Sequence, residues 1–415
     1  MSNASRTNWS GNIDFAASAL ETPGSVAELQ ACVSKNDSVR ALGTAHCFND
    51  IADTRGVQVS VAGLAATIDI DSAASTAWVP AAMKYGELAK ALQPHGFAVH
   101  NIASLGHISV AGAVITGTHG SGDANGTLSS TVRALELVTA SGDLVVIDES
   151  SPDFFGSVVS LGMLGVVTRV KLSIVPAFNI AQTVIDDVSH AQVTDNFDAI
   201  FSSAYSVSFF TTWGPENLGQ LWVKHRADQA WRHEEWMGGA PATVKRHPLP
   251  GHDPIHCTEQ LGVVGPSFER LPHFKLEFTP SSGDELQTEY LVPRTEAVQL
   301  LKGLLEFSPR IHELLHVSEI RTMAADELWL SGASGRDTVG IHFTWKKVPE
   351  VFPWLPEIDE YFAPAGGRPH WGKLFDGTAL PDRYSHFNDF VNLVGRYDPT
   401  GKFSNDWWRG VLGVG

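Results

Sequence analysis

Apolar and polar residues alternate in short runs between residues 38 and 180, and this period of two predicts short strands with few helices. The predicted strands, placed by β-branched content and alternation, are residues 39–42, 57–61, 66–70, 132–139, 144–147 and 165–175. The segment Ala140-Ser141-Gly142-Asp143 is typical of a hairpin turn, so we expect the strands on either side of it to pair.

Helix signals are fewer in this half of the chain. Residues 84–93 predict a helix that stops near Gly96, and Ser151 with Pro152 predicts the N-cap and first position of a second helix. The amino-acid composition changes beyond Pro176, because residues 180–370 hold most of the tryptophans and prolines. We therefore expect a domain boundary near residues 176–179.

The C-terminal stretch from Asp398 to Asn405 is rich in turn residues and is followed by two tryptophans. A free tail would expose the large apolar side chains of Phe403, Trp407 and Trp408. The sequence therefore predicts that this segment is docked on the rest of the protein.

Composition narrows the function. A chain of 415 residues with 43% hydrophobic and 18% charged residues is an ordinary globular protein of two or three domains. Its net charge of −17 argues against nucleic acid and anionic membranes as partners, which need a positive surface. The longest apolar stretch, residues 158–167, is too short to span a bilayer, and the polar residues 1–11 do not resemble a signal peptide.

The three cysteines point to a compartment. Cys32, Cys47 and Cys257 are odd in number and far apart, so they predict neither a disulfide framework nor a Cys-x-x-Cys metal site. We therefore expect a reducing cytoplasm.

Two loops of small residues are the most informative local feature. The first is Gly43-Thr44-Ala45-His46-Cys47-Phe48-Asn49, and the second spans residues 109–122, where eight of fourteen residues are Gly, Ala or Ser. Such loops let a ligand or another backbone come close, and consecutive N–H groups can face one anion. They favour a large phosphate-bearing cofactor beside His46. Two tight turns without a ligand remain the alternative, and neither loop fits the Gly-x-Gly-x-x-Gly dinucleotide fingerprint.

Two other motifs are weaker. His312-Glu313-Leu314-Leu315-His316 matches the His-Glu-x-x-His pattern of zinc hydrolases, with Glu319 nearby, but only about two helical turns are expected before a strand begins. The stretch from Gly367 to Leu374 has the spacing of a phosphate-binding loop, yet Leu374 replaces the hydroxyl that would hold Mg²⁺. Lys373 in this stretch is expected to lie in an apolar, aromatic neighbourhood.

Two predicted strands carry a polar face. Alternation puts Glu319 and Arg321 on one face of residues 318–322, and His342 and Thr344 on one face of residues 341–345. These groups would suit a substrate rich in hydroxyls. From the residues alone, however, we favour two edge strands with a wet face, and the polar wall of a pocket is the alternative interpretation.

The chain resembles the FAD-dependent alditol (xylitol/sorbitol) oxidases of the vanillyl-alcohol oxidase superfamily. The resemblance covers nearly the whole chain. Its motifs are Thr7-Asn8-Trp9-Ser10-Gly11-Asn12, the loop 43–49, Ala103-Ser104-Leu105-Gly106-His107-Ile108-Ser109, Thr116-Gly117-Thr118-His119-Gly120, Cys257-Thr258-Glu259-Gln260, Glu319-Ile320-Arg321-Thr322, His342-Phe343-Thr344-Trp345 and Arg368-Pro369-His370-Trp371-Gly372-Lys373.

The resemblance implies an α+β, two-domain flavoprotein. A PCMH-type FAD-binding domain would span residues 1–178. A substrate-binding cap domain, built on an antiparallel sheet flanked by helices, would span 179–375, and a C-terminal segment, 376–415, would return to the FAD domain.

The resemblance also implies site residues. His46 would carry FAD covalently. The other positions expected to contact FAD are Ala41, Leu42, Gly43, Thr44, Ala45, Cys47, Ser104, Ser109, Gly112, Thr116, Gly117, Thr118, His119, Val167 and His370. The expected polyol-binding positions are Ser104, Glu319, Arg321, Thr344 and Lys373, with Arg321, Lys373 and His342 as the catalytic set.

The implied reaction oxidises the terminal primary hydroxyl of a linear polyol to the aldose by hydride transfer to FAD, and oxygen then gives hydrogen peroxide. His342, Lys373 and Glu319 stay open as acceptors of the hydroxyl proton. The expected partners are a polyol and molecular oxygen, for a cytoplasmic monomer with no metal. An aldonolactone oxidase or polyol dehydrogenase of the same superfamily, a zinc metallohydrolase and a non-catalytic binding protein are the alternatives.

Overall fold

Strands dominate the first part of the chain, as the alternation predicted. The computed structural model describes residues 6–278, 283–376 and 380–412. The strands up to residue 176 are β1 (Ala19–Glu21), β2 (Val39–Ala41), β3 (Val57–Val59), β4 (Asp69–Asp71), β5 (Thr76–Pro80), β6 (Phe97–Ala98), β7 (Val132–Val138), β8 (Leu144–Asp148), β9 (Val166–Ser173) and β10 (Val175–Pro176).

These strands form two main sheets. A small parallel sheet has the order β1-β3-β2, and an antiparallel sheet has the order β4-β5-β9-β7-β8, while β6 pairs with β10. The predicted hairpin is confirmed, because β7 and β8 pair antiparallel from Val138–Leu144 to Ala134–Asp148. The helices of this part are α1 (Val26–Lys35), α2 (Tyr85–Leu92), α3 (Val110–Ile115) and α4 (Phe154–Ser157).

Residues 179–369 build a larger antiparallel sheet. Its strands are β11 (Asn179–Ser189), β12 (Ser206–Thr211), β13 (Leu218–Arg226), β14 (Ala240–Pro241), β15 (Gly265–Pro266), β16 (Glu285–Pro293), β17 (Leu315–Met323), β18 (Thr338–Lys346) and β19 (Arg368–Pro369). The order is β14-β11-β13-β12-β17-β18-β16-β19, and β15 joins β11. The helices of this part are α5 (His190–Asp195), α6 (Phe197–Phe201), α7 (Arg294–Leu304), α8 (Ser308–Leu314) and α9 (Trp354–Phe362).

The two faces of the large sheet differ in chemistry, although both are buried. Ile320, Ile341 and Trp345 pack in one core with apolar residues of α7 and α9. The residues that alternate with them, such as Glu319 and His342, are buried on the opposite face. The expectation of two edge strands with a wet face is therefore wrong, because β17 and β18 are interior strands and their polar face is covered.

The C-terminal segment returns to the first part of the chain. Helices α10 (Phe387–Tyr397) and α11 (Asp406–Leu412) contribute Phe390 and Trp408 to the same core as residues of β5, β7 and β9. Phe403 is fully buried beside Val57 and Val59, whereas Trp407 is half-buried. The predicted docking of this segment is confirmed.

Two details differ from the prediction. Residues 151–153 form a turn in which Ser151 Oγ accepts a hydrogen bond from the Asp153 amide, so α4 begins at Phe154 and Ser151 is not its N-cap. The strand expected at 66–70 lies at Asp69–Asp71, where it pairs with β5. Within residues 6–278, 283–376 and 380–412, no helix combines the length and apolar character that a bilayer crossing requires.

Candidate functional site

A cavity of about 730 Å³ lies between the small-residue loops and the polar face of the large sheet. It is lined by most of the residues that the sequence singled out. These are Ala41, Leu42, Gly43, Thr44, Ala45, His46, Cys47, Ser104, Ser109, Gly112, Thr116, Thr118, His119, Glu319, Arg321, His342, Thr344, His370 and Lys373. Gly117 and Val167 do not line it. The structure thus brings both loops and both polar strands to one space.

The two small-residue loops pack tightly around Ser109. A Cβ added at Gly43 or at Gly112 would lie 2.8 Å from Ser109 Oγ, so a side chain at either position would require the Ser109 hydroxyl to move. The Ser109 amide donates to Thr44 Oγ1 at 3.4 Å, and Ala45 has a φ of 56°. The backbone of both loops therefore forms a close cradle on one wall of the cavity, which fits a ligand held by main-chain groups.

His46 is presented to this cavity without a strong partner. Neither ring nitrogen has a hydrogen bond of good geometry within the described residues, although the Thr44 backbone lies close enough to act on the ring. Trp9 stacks on the imidazole with ring centroids 5.4 Å apart. Burial, with a smaller effect of His107, lowers the pKa of His46 to about 4. The ring is neutral at pH 7, and its lone pair is available to a ligand.

Direct hydrogen bonds connect the loop that carries His46 to the segment that carries Lys373. The Asn49 side-chain amide donates to the carbonyl oxygens of Trp371 and Lys373, both at 2.8 Å. The Phe48 amide donates to the Gly372 carbonyl at 2.8 Å. The positions of the imidazole and of the lysine are therefore fixed relative to each other.

A buried carboxylate, Glu289 on β16, organises the opposite wall. Its two oxygens accept from Arg321 Nη2 and from Lys373 Nζ, each at 2.6 Å, and His119 Nε2 lies 3.3 Å away. Burial alone would raise the pKa of Glu289, but Arg321, Lys373 and His119 hold it well below the usual value. Lys373 thus lies in an ionic cluster, so its predicted apolar, aromatic neighbourhood is wrong.

His342 and Thr344 complete this cluster. Lys373 Nζ donates to His342 Nδ1 at 2.7 Å, which leaves the ring proton on Nε2 to be donated to Thr344 Oγ1 at 2.9 Å. Burial, with Lys373 as the next cause, lowers the pKa of His342 well below its usual value, so the ring is neutral. Burial also lowers the pKa of Lys373.

Ser104 and Glu319 lie beside Arg321. Arg321 Nη1 donates to Ser104 Oγ at 3.3 Å, and Ser104 Oγ is 3.5 Å from Glu319 Oε2. Burial opposes ionisation of Glu319, but Arg321 and His273 lower its pKa below the usual value. Because Glu319 is ionised, it can accept hydrogen bonds but is a poor base.

Neither of the weaker motifs forms a site. Helix α8 ends at Leu314, so His312 is helical while His316 belongs to β17, and the two imidazoles share no helical face. His312 is exposed, and its Nδ1 donates a hydrogen bond to the Thr212 carbonyl oxygen. The apparent phosphate loop continues from β19 into turns, without the helix that such a loop needs.

A different trio has ligand atoms close enough for a metal. Within the described residues, one ligand atom each of His119, Glu289 and His370 lie within 4.8 Å of one another. The carboxylate of this trio is already shared by Arg321 and Lys373. We interpret the trio as part of the ionic cluster.

Sequence reasoning missed three residues of this site. Glu289 follows the same period of two as the other polar strands, with Glu285 and Gln287 on its face of β16, so that signal was available. Trp9 and His273 carry no comparable local pattern, because each reaches the site from a non-repetitive segment.

Two protein families match parts of the chain. A model described as FAD binding domain matches residues 17–148, and a model described as D-arabinono-1,4-lactone oxidase matches residues 284–411. The first match covers the loops around His46 and Ser109, and the second covers the polar face of β16, β17 and β18. Most of the residues that line the cavity thus fall within the two matched regions, whereas Trp9 and His273 lie outside them.

Full-length relatives are also found. Alditol oxidase of Streptomyces sp. (strain IKD472 / FERM P-14339) is 44% identical, over 98% of this chain and 98% of that protein. L-gulono-1,4-lactone dehydrogenase of Mycobacterium tuberculosis (strain H37Rv) is 29% identical, over 98% and 99%. The crystal structure of cholesterol oxidase from B. sterolicum has the same fold, with a TM-score of 0.80 at 14% identity, over 98% of this chain and 96% of that one.

Replacing Glu289 tests the ionic cluster. Glu289→Gln keeps the shape but removes the shared counter-ion of Arg321 and Lys373, so we expect the free energy of unfolding at pH 7 to fall by about 3 kcal/mol. The lowered pKa of Glu289 stabilises the fold above the unfolded carboxyl pKa of about 4.3, and this stabilisation is lost as pH falls further. Urea unfolding of both purified proteins, between about pH 7 and about pH 3, measures the difference between their free energies of unfolding. This difference should be smaller at low pH.

The matched control is Glu296→Gln on the exposed side of α7. We expect its free energy of unfolding to lie within about 0.5 kcal/mol of that of the unchanged protein. Equal stability of Glu289→Gln and the unchanged protein at pH 7 would show that the carboxylate does not organise the cations. A difference in the free energy of unfolding that does not change with pH would argue against an ionised Glu289 in the folded protein.

Proposed function

The chain belongs to the family of the FAD-dependent alditol oxidases, within the vanillyl-alcohol oxidase superfamily, and on that premise we propose its reaction. It oxidises the terminal primary hydroxyl of linear polyols, such as xylitol and sorbitol, to the aldose. Oxygen is the electron acceptor and becomes hydrogen peroxide.

One observation carries this proposal. A single cavity joins a weakly partnered imidazole, set in loops that match an FAD binding domain, to a wall of hydroxyl-binding side chains. A wall of two carboxylates, a guanidinium, an ammonium and a hydroxyl would be costly to bury against an apolar substrate. It suits a substrate that supplies a hydrogen-bonding group at each carbon.

The residues of the first wall fit FAD. Gly43, Ser109 and Gly112 would hold it through the close cradle of main-chain groups, and His46 would carry it covalently through a ring nitrogen. When bound, FAD accepts a hydride and passes the electrons to oxygen. The neutral state of His46 supports the linkage, since only an unprotonated nitrogen can act as a nucleophile.

The second wall would position the polyol. We propose that Glu319 and Thr344 bind the hydroxyls remote from the reacting end, and that Ser104 binds one near it. Buried groups of this kind lose their partners when a deoxy analogue binds, so the site should reject such analogues. Arg321 places a fixed positive charge where the reacting oxygen becomes negative, which stabilises the transition state.

Lys373 is our choice for the group that holds the hydroxyl proton. Glu319 is ionised with a lowered pKa, and His342 Nδ1 already accepts a hydrogen bond from Lys373. Lysine can accept a proton only as the neutral amine, and burial favours that form. His342 and Glu289 would then orient the amine toward the substrate.

Location and assembly stay predictions. All three cysteines are free thiols, and two of them are buried. This supports a reducing compartment, and we propose the cytoplasm. We also propose that the protein acts as a monomer, since both walls of the cavity come from one chain.

The reaction is tested with the purified holoprotein and two substrates. We expect xylitol to drive oxygen consumption, measured with an oxygen electrode, with one hydrogen peroxide formed per oxygen, measured with peroxidase. An aldono-1,4-lactone is the matched competitor, because one family model and several relatives are named for lactones. A higher kcat/KM for the lactone would favour a lactone oxidase, and polyol turnover only with an artificial acceptor would indicate a dehydrogenase.

The covalent linkage is tested at His46. His46→Ala removes the ring nitrogen, so acid precipitation should release all FAD from the variant and none from the unchanged protein, as measured by absorbance of the supernatant. His252→Ala, which removes an exposed imidazole at the same cavity, is the control and should keep its FAD. FAD that stays with precipitated His46→Ala would contradict the assignment.

The role of Lys373 is tested by pH. The kcat/KM for xylitol should rise with pH as the lysine loses its proton, with a midpoint below the usual lysine pKa of about 10.4. Lys373→Arg keeps a charge that cannot be removed, so we expect kcat/KM to fall at least about 100-fold and the rise to disappear. Lys346→Arg, at an exposed position of β18, should match the unchanged protein. A rise that persists in Lys373→Arg would transfer the role to another group.

A further inference from the structure

His273 connects two residues that we place in the polyol site, although they are far apart in sequence. Its backbone amide donates to the Ser104 carbonyl at 3.1 Å. Its ring Nε2 lies 2.9 Å from Glu319 Oε1. The residue is 5% exposed, so one buried histidine holds both the loop of Ser104 and the carboxylate of Glu319.

The far side of this ring faces a buried lysine. Lys224 on β13 is 1% exposed, and its Nζ lies 3.2 Å from His273 Nδ1 and donates to the Leu271 carbonyl. Lys224 does not line the cavity, so its role is exerted through His273. Burial lowers the pKa of Lys224 to about 7. As an ammonium the side chain has donors only, which makes Nδ1 the acceptor and puts the single ring proton on Nε2, and the neutral amine can donate the same hydrogen bond.

The ring has one protonation state and little freedom to turn. Burial, with Lys224 as the next cause, lowers the pKa of His273 to about 4, so the imidazole is neutral and carries one proton. Phe210 and Trp222 meet the ring edge-to-face, at 5.1 Å and 5.4 Å between centroids. The ionised carboxylate of Glu319 accepts at Nε2 and Lys224 donates at Nδ1, so both neighbours favour the same tautomer.

We propose that Lys224 is a positioning residue for polyol binding: by donating to Nδ1 it stabilises the tautomer and ring orientation of His273 that donate to Glu319 and orient it. The inference rests on the proposed function. With Oε1 taken by His273, Oε2 of Glu319 faces Ser104 Oγ and Arg321 Nε, at 3.5 Å and 3.7 Å. This is the side on which the substrate hydroxyls would lie. Without the lysine, Nδ1 would be buried without a donor, and the ring would lose one of the two hydrogen bonds that hold it against the carboxylate.

The test compares two alcohols on one variant. Lys224→Met keeps the length of the side chain but has no donor. We expect its KM for xylitol to rise about tenfold with kcat within about twofold, because contacts remote from the reacting carbon bind ground state and transition state alike. Its KM for 1,2-propanediol, which lacks the remote hydroxyls, should stay within about twofold.

The control is His190→Phe. His190 is also a buried histidine of the large-sheet region, but its Nε2 is hydrogen-bonded to Thr211 Oγ1 and it does not line the cavity. Both KM values should be unchanged in this variant. An unchanged xylitol KM in Lys224→Met, or an equal rise for both alcohols, would overturn the proposal.

A second pair of variants keeps the test decisive if Lys224→Met does not fold. His273→Gln retains a donor toward Glu319 that needs no lysine to fix it, whereas His273→Leu has none. We expect the xylitol KM to rise about tenfold more in His273→Leu than in His273→Gln. Equal KM values in the two variants would overturn the proposal.

The outcomes separate the inference from the function on which it rests. An unchanged protein that oxidises lactones but no polyol overturns the proposed function, and the positioning role with it. An unchanged protein that oxidises xylitol, with the variants behaving like it, overturns only the role of Lys224.

Discussion

The arrangement of the site depends on one buried charge, the carboxylate of Glu289. An isolated carboxylate at this depth would cost several kcal/mol, so the fold must bring it cations. Arg321 comes from β17 and Lys373 from the segment after β19, and each contacts one oxygen. Strand register then sets the rest, because Glu289 is paired with His342 and His342 with Glu319. Two carboxylates and two cationic side chains thus lie in one cluster at the polar face of the sheet.

The site also depends on the junction between the loops and the sheet. The ionic cluster alone would be a polar wall, and the small-residue loops alone would be a cradle for a ligand. Asn49 joins them, because its side-chain amide donates hydrogen bonds to two carbonyl oxygens in the segment of Lys373. The imidazole of His46 and the ammonium of Lys373 therefore face one cavity at a fixed spacing, which is what transfer between a bound cofactor and a substrate requires.

The sequence predicted those parts of this site that follow a local period. Alternation along β17 and β18 correctly paired Glu319 with Arg321 and His342 with Thr344, since a strand's faces depend only on its own residues. Lys224, His273 and the surroundings of Lys373 could not be predicted in this way. They meet through pairings between distant segments, and no short pattern encodes which strand lies beside which. The same limit made β17 and β18 look like edge strands, although their neighbours β12 and β16 cover both sides.

The chain also shows why spacing alone is weak evidence for chemistry. Its His-Glu-x-x-His stretch is literal, yet the helix that would align the imidazoles ends between them. The small-residue loops match no simple spacing rule, yet Gly43 and Gly112 lie where a Cβ would come within 2.8 Å of Ser109 Oγ. A motif has a function only when its backbone places the side chains together, whereas a steric requirement reports that placement directly. For that reason the weakly partnered His46 beside the cavity is a stronger indication of a bound cofactor than the zinc motif is of a metal.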